Sequence, residues 1–275
     1  MIHVNAGGAS IPALGFGVFR VSEPDTARMV KHALHIGYRH IDTAQIYGNE
    51  AAVGNGIKAS GVARSSIFLT TKVWVKNFKP ADFARSVDES LKKLQTDHVD
   101  LLLLHWPSKD VPLAEQIASL NAVQKAGKVK HVGVSNYNRA LMAEAVKLSA
   151  TPIVTNQVEY HPYLDQTPLL TAAKAAGISV TAYYAMADGK VPTEPLLQEI
   201  GGRHGKSAAQ VTLRWILQQG LVALSKTVSE ARAAENLDIF DFSLTADEMA
   251  AIHGLANKNG RIVSPDGLAP VWDAA

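Results

Sequence analysis

The chain contains no cysteine among its 275 residues. Disulfides and thiolate metal sites are therefore excluded, and the fold must rest on its apolar core. A strong charge of either sign is also missing: 27 Lys and Arg against 25 Asp and Glu leave a net charge of +2. With no stripe of basic residues alternating with aromatics, that balance speaks against a nucleic-acid partner and leaves the basic residues for a small anionic ligand. No apolar run approaches membrane-spanning length, and the N-terminal Ile2-His-Val-Asn-Ala-Gly-Gly8 has no basic stretch leading into an apolar one. A cytoplasmic protein with no membrane partner is the expectation. Neither His-Glu-x-x-His nor His-x-His occurs, so a metal-dependent hydrolase lacks its usual ligand pattern and no metal is expected.

What is present is alternation. Short β-rich runs end at Phe19, Asp42, Val73, His105, Ser135, Glu159, Tyr183 and Leu224, and several are almost wholly apolar, as strands covered on both faces should be. Between them lie stretches of helical period: 26–35, 50–59, 81–94, 113–125, 139–148, 168–175, 208–219 and 230–238. Gly37, Gly61, Gly127, Gly177 and Gly220 each stand just before the next strand, where a left-handed helix end is needed. Eight strands each followed by a helix predict an α/β (β/α)8 TIM barrel, as a single domain over 1–275. Residues 2–11 read as a β-hairpin plugging the barrel's N-terminal end. Residues 192–204 and 245–257 are extra helices. A doubly wound dinucleotide fold is the weaker alternative, since Gly15-Phe-Gly17-Val-Phe-Arg20 lacks the third glycine of its fingerprint.

Four polar side chains stand where apolar runs stop: Asp42, Tyr47 just beyond it, Lys72, and His105 after Leu-Leu-Leu-Leu. Titratable groups at the C-terminal tips of barrel strands are a usual way to build an active site. The residues carrying them resemble a family. Gly37-Tyr-Arg-His-Ile-Asp42-Thr-Ala-Gln-Ile-Tyr47-Gly-Asn-Glu50-Ala-Ala-Val-Gly54 is similar to the first signature of the aldo-keto reductases. Leu91 through His105-Trp-Pro107 resembles the second, and Lys226-Thr-Val-Ser-Glu-Ala-Arg232-Ala-Ala-Glu-Asn236 the third. Gly133-Val-Ser-Asn136 and Asn156-Gln-Val-Glu-Tyr-His-Pro162 match two further segments, so the likeness spans nearly the whole chain. Arg261-Ile-Val-Ser-Pro265 looks like the B-type 2,5-diketo-D-gluconate reductases within the family.

The resemblance implies a catalytic tetrad of Asp42, Tyr47, Lys72 and His105, an NADPH/NADP+ cofactor, and a small-molecule carbonyl substrate handled by a monomer. Carbonyl reduction needs a hydride, which no side chain supplies, and a proton donor, which Tyr47 can be. Lowering a tyrosine from its ordinary pKa toward 7 takes roughly 4 kcal/mol. An ammonium at about 4 Å is worth that much at an effective dielectric near 20. Lys72 is the expected charge, Asp42 its holder, and His105 the group that orients the carbonyl oxygen. By resemblance Tyr183 stacks on the nicotinamide, and Ser135, Asn136 and Gln157 hold its carboxamide. Lys226, Thr227, Ser229, Arg232 and Asn236 take the 2'-phosphate end at the start of the last repeat helix. Phe19, Trp74 and Trp106, with His105, are expected to wall the substrate pocket. The segment 258–275 is too short to enclose a bulky ligand, so the pocket should be shallow and suit methylglyoxal-like dicarbonyls and 2,5-diketo-D-gluconate. The rival reading is an NADP-binding barrel without catalysis. The chain departs from the family pattern at Tyr184-Ala-Met-Ala187, where Ser-Pro-Leu-Gly is common, at Ser225, where proline is usual, and at His98, where Tyr is frequent.

Overall fold

The computed structural model describes residues 2–257 and 260–273. Strands β1 (His3–Ala6) and β2 (Ala9–Pro12) form an antiparallel hairpin. A closed barrel follows: β3 (Leu14–Gly17), β4 (His40–Asp42), β5 (Phe68–Val73), β6 (Val99–Leu104), β7 (Val129–Ser135), β8 (Ile153–Glu159), β9 (Ser179–Tyr183) and β10 (Val222–Ser225), all parallel, with β10 closing onto β3. Helices α1 (Glu23–Ile36), α2 (Glu50–Ser60), α3 (Pro80–Leu94), α4 (Leu113–Lys125), α5 (Arg139–Leu148) and α6 (Thr167–Ala175) wrap it. They are joined by α7 (Pro195–His204), α8 (Ala208–Gln218), α9 (Glu230–Leu237) and α10 (Ala246–His253). The fold is a (β/α)8 barrel with α7 and α10 outside the repeat.

The five punctuating glycines all take positive φ, between 68° and 118°. In a left-handed conformation a Cβ would crowd the following carbonyl, so glycine is the residue that ends these helices cheaply. The hairpin plugs the barrel floor. Ala9 and Ile11 are buried against Phe68, Leu101, Leu103, Val154 and Val222. A cavity of about 560 Å3 lies at this same end, between the hairpin and the starts of β9 and β10, far from the strand tips.

Strand alternation decides what faces the barrel axis. Leu101 and Leu103 pack on the plug, while Leu102 and Leu104 pack against the outer layer. The same period of two turns His105, Lys72, Asp42, Ser135, Gln157 and Tyr183 inward at the C-terminal mouth. Gly15 also points in, and a Cβ there would lie 2.6 Å from Leu224 Cδ2 and 2.8 Å from His40 Nδ1. Gly15 therefore makes room inside the barrel and is no part of a phosphate loop. Among the described residues no helix is long and apolar enough to cross a membrane.

Candidate active site

Lys72, fully buried on β5, spends its three ammonium donors on Asp42 Oδ1 at 2.5 Å, the Thr43 carbonyl at 2.9 Å and Tyr47 Oη at 3.4 Å. Asp42, at the end of β4, accepts on its other oxygen from Gln157 Nε2 at 2.8 Å. Tyr47 sits in the turn after β4, with its ring 5.6 Å edge-on from His105 and 4.9 Å from Phe19. His105 follows β6 directly, and its backbone N–H still donates to the Val73 carbonyl, continuing the ladder by one residue. The structure thus brings the four residues together.

Electrostatics departs from expectation at one point. Burial, followed by the Asp42 carboxylate, pushes the Tyr47 phenol well above its ordinary value. This direction is opposite to the lowering expected from the Lys72 ammonium, because desolvation of the buried phenol dominates. Burial also lowers Lys72, against the pull of Asp42, and burial and then Lys72 drive His105 well below the usual histidine range. His105 is accordingly a neutral imidazole, and its Nδ1 has no hydrogen-bond partner among the described residues.

Around this cluster, Ser135 Oγ donates to the Gln157 carbonyl at 2.8 Å and Asn136 Nδ2 to the His105 carbonyl at 3.0 Å. Asn136 adopts φ 65°, a conformation asparagine tolerates, and its Oδ1 accepts from Tyr183 Oη at 2.7 Å. Ser135, Asn136, Gln157 and Tyr183 therefore form one connected patch beside the tetrad. Beyond β9, Tyr184 and Ala187 take φ of 62° and 47°. Ala187 stands where the resemblance expects glycine, and the chain accepts left-handed backbone there in spite of its Cβ.

Lys226, Thr227 and Ser229 lead from β10 into α9 and Arg232 stands in its first turn, where Ser229 Oγ caps the Arg232 N–H, while Asn236 is the next-to-last residue of the helix. Lys226 and Arg232 are exposed and in no ion pair among the described residues. The nearby Glu230 is held elsewhere, by Arg28 at 3.0 Å. At Ser225, where proline is usual, Oγ lies 3.1 Å from the buried Tyr38 Oη, which donates to the Ala233 carbonyl and ties α9 to the barrel.

Trp74 meets His105 edge-on at 5.3 Å. Its backbone N–H donates to Gln45 Oε1, which also receives Asn77. Trp106 is buried and packs on Trp272, at 6.4 Å between ring centres. Trp272 in turn lies 3.8 Å from the Arg261 guanidinium carbon. Gln45, Arg261 and Trp272 were not anticipated as site residues. For Gln45 the only signal was its place inside the first signature, and for Trp272 no local pattern exists.

A closed parallel barrel whose C-terminal mouth gathers a phenol, an ammonium, a carboxylate and a neutral imidazole has the layout of a barrel enzyme. Residues 13–257 match the model of the Aldo/keto reductase family, to which the chain belongs. It is 42% identical over 267 residues to methylglyoxal reductase DkgB of Yersinia pestis, covering 96% of this chain and 100% of that protein. A solved structure provisionally named a 2,5-diketo-D-gluconic acid reductase B shares 62% identity, with a TM-score of 0.98 over 100% of this chain and 98% of the other. An aldo-keto reductase of Bombyx mori in complex with NADP shares 33% identity, with a TM-score of 0.87 over 93% and 92%. The chain is thus an oxidoreductase of carbonyl compounds that works with a nicotinamide cofactor.

Proposed function

We propose that this protein reduces small aldehydes and dicarbonyls, methylglyoxal-like compounds and 2,5-diketo-D-gluconate among them, using NADPH and Tyr47 as the general acid, as a cytoplasmic monomer. The observation that carries the reading is the contact of Lys72 Nζ with Tyr47 Oη at 3.4 Å, anchored by Asp42 at 2.5 Å. NADPH, when bound, supplies the hydride that adds to the carbonyl carbon. Tyr47 gives its proton to the carbonyl oxygen, and the phenolate left behind is the species Lys72 stabilises. A phenol that keeps its proton at neutral pH is loaded for this donation. The neutral His105 orients the carbonyl oxygen without competing as an acid.

The residues present fit the cofactor. Gln157 spends its Nε2 on Asp42 and keeps its Oε1 for an amide donor, next to Ser135 and Asn136, with the Tyr183 ring as a stacking face. Lys226 and Arg232, which have no carboxylate partner among the described residues, suit a 2'-phosphate, with Thr227 and Ser229 between them in sequence and Asn236 on the same helix as Arg232. Phe19, Trp74 and Trp106 supply the apolar wall for a small substrate. The similarity to methylglyoxal reductase DkgB and to a diketogluconate reductase supports the substrate class. The test is Tyr47→Phe. It should bind NADPH as before and lose carbonyl reduction by about three orders of magnitude or more, because only a transition-state interaction is removed. Wild-type turnover in that variant would refute the mechanism.

A further inference from the structure

Glu159 ends β8 two residues beyond Gln157, so the strand's alternation turns it toward the mouth as well. Its side chain is fully buried, and a buried carboxylate needs partners to be tolerated. Four surround it. Oε1 accepts the Ile262 N–H at 2.7 Å and His161 Nε2 at 2.9 Å. Oε2 accepts the Val263 N–H at 2.9 Å and lies 3.6 Å from Arg261 Nη1. Three of the four donors belong to consecutive residues of the C-terminal segment. One carboxylate therefore grips the strap by its backbone, with the guanidinium and His161 at its flanks.

The strap is fastened at other points. At its near end Gly260 presses so closely on the Tyr163 carbonyl that a Cβ would lie 1.8 Å from the oxygen. At its far end Asp273 accepts from the Arg139 backbone N–H at 2.9 Å and pairs with the Arg139 guanidinium at 3.1 Å, while Asn138 donates to the Val271 carbonyl. Between these points Trp272 stands over Arg261 and against Trp106, the neighbour of His105. The position of Trp272 thus depends on Arg261, and that of Arg261 on Glu159.

We infer that Glu159 is a positioning residue: by clamping residues 261–263 it holds the C-terminal strap across the barrel mouth, completes the substrate wall with Trp272, and so sets the affinity for the carbonyl substrate. The inference rests on the carbonyl-reductase reading for its kinetic part only. Glu159 touches none of the reacting groups, and its loss should weaken binding of the ground and transition states alike. That pattern raises KM and spares kcat.

The experiment combines kinetics with amide hydrogen exchange on the full chain. Glu159→Gln replaces one acceptor with an amide that faces the N–H it should accept. Val263→Pro removes one donor while leaving Glu159 and the barrel intact, and it stands in should the first variant fail to fold. Each should raise KM for methylglyoxal about tenfold, as expected for a lost charge-assisted bond, with kcat within about threefold. NADPH affinity, read by fluorescence titration, should change by less than about threefold, because the Glu159 carboxylate is bonded to the strap and His161 and not to Ser135, Asn136, Gln157 or Tyr183. Exchange at the amides around Ile262 should accelerate at least about tenfold. In a Trp272→Ala background, which itself raises KM, Glu159→Gln should add less than about twofold, since both act through one element. Unchanged exchange at these amides, additive KM effects, or loss of kcat with KM intact would each overturn the assignment. If the wild-type chain reduced no carbonyl compound, the function proposed above would fall, and exchange alone would decide the clamp.

Discussion

At the scale of single residues, burial dominates the chemistry of this barrel. His105 and His40 both lie in its interior, and burial is the first cause of the lowering of each. His40 is held by the Pro12 carbonyl and Thr70 Oγ1, so it joins the plug to the barrel wall as a neutral ring. A histidine kept neutral when folded and free to protonate when unfolded makes the unfolded chain bind more protons below its ordinary pKa. Stability is then fully present above about pH 6.5 and is lost as the pH falls below it. Each histidine should cost about 1 kcal/mol per pH unit in that range, until its native pKa is reached. Urea unfolding at pH 7.5, 6.5 and 5.5 measures this, and a flat profile would mean that both rings protonate in place.

At the scale of elements, period-two alternation places the site, and small departures from the expected boundaries have local causes. The first barrel strand was expected to reach Phe19 but stops at Gly17, because the Val18 carbonyl turns out of the ladder to accept Asn49 Nδ2 at 2.9 Å. Helix α1 begins three residues before Thr26, since Ser22 caps it and Pro24 is tolerated in a first turn, where its missing N–H has no partner to lose. Glu159, which accepts the strap's backbone N–H groups, shares the alternation that made Gln157 legible, so its inward direction could have been read from the sequence; its partners could not. Interior glycine is a further consequence of closure. Gly15→Ala should destabilise the protein by about 1–3 kcal/mol through overpacking against His40 and Leu224. A thermal melt checks it, and an unchanged Tm would show that the plug side of the barrel can relax.

At the scale of the whole molecule, charge is distributed so that the two cations at α9 stay available. Arg28 on α1 takes Glu230 at 3.0 Å and the Val228 carbonyl at 2.9 Å, and among the described residues Lys226 and Arg232 pair with no carboxylate. Replacing both with alanine should weaken NADPH about tenfold or more while moving NADH by less than about twofold, because only the former carries the extra phosphate. The gap should narrow with added salt, as exposed charges are screened. Isothermal titration of both cofactors at low and high ionic strength measures it; equal affinities in the parent protein would contradict the assignment of these residues.

The sequence by itself determined the barrel, its plug, its helix ends and the four residues at the strand tips. Apolar runs of period two, helical stretches of period 3.6 and glycines at left-handed ends are local properties, and the signature spacings are linear ones. Tertiary structure alone decided how Lys72 divides its donors among Asp42, Thr43 and Tyr47, and that burial, followed by the Asp42 carboxylate, pushes the Tyr47 phenol up. It also decided that Trp272 meets Trp106, 166 positions earlier in the chain, and that Glu159 holds the segment about a hundred residues beyond it. Those outcomes depend on burial and on distances across the barrel mouth. Both arise only when the last strand pairs with the first.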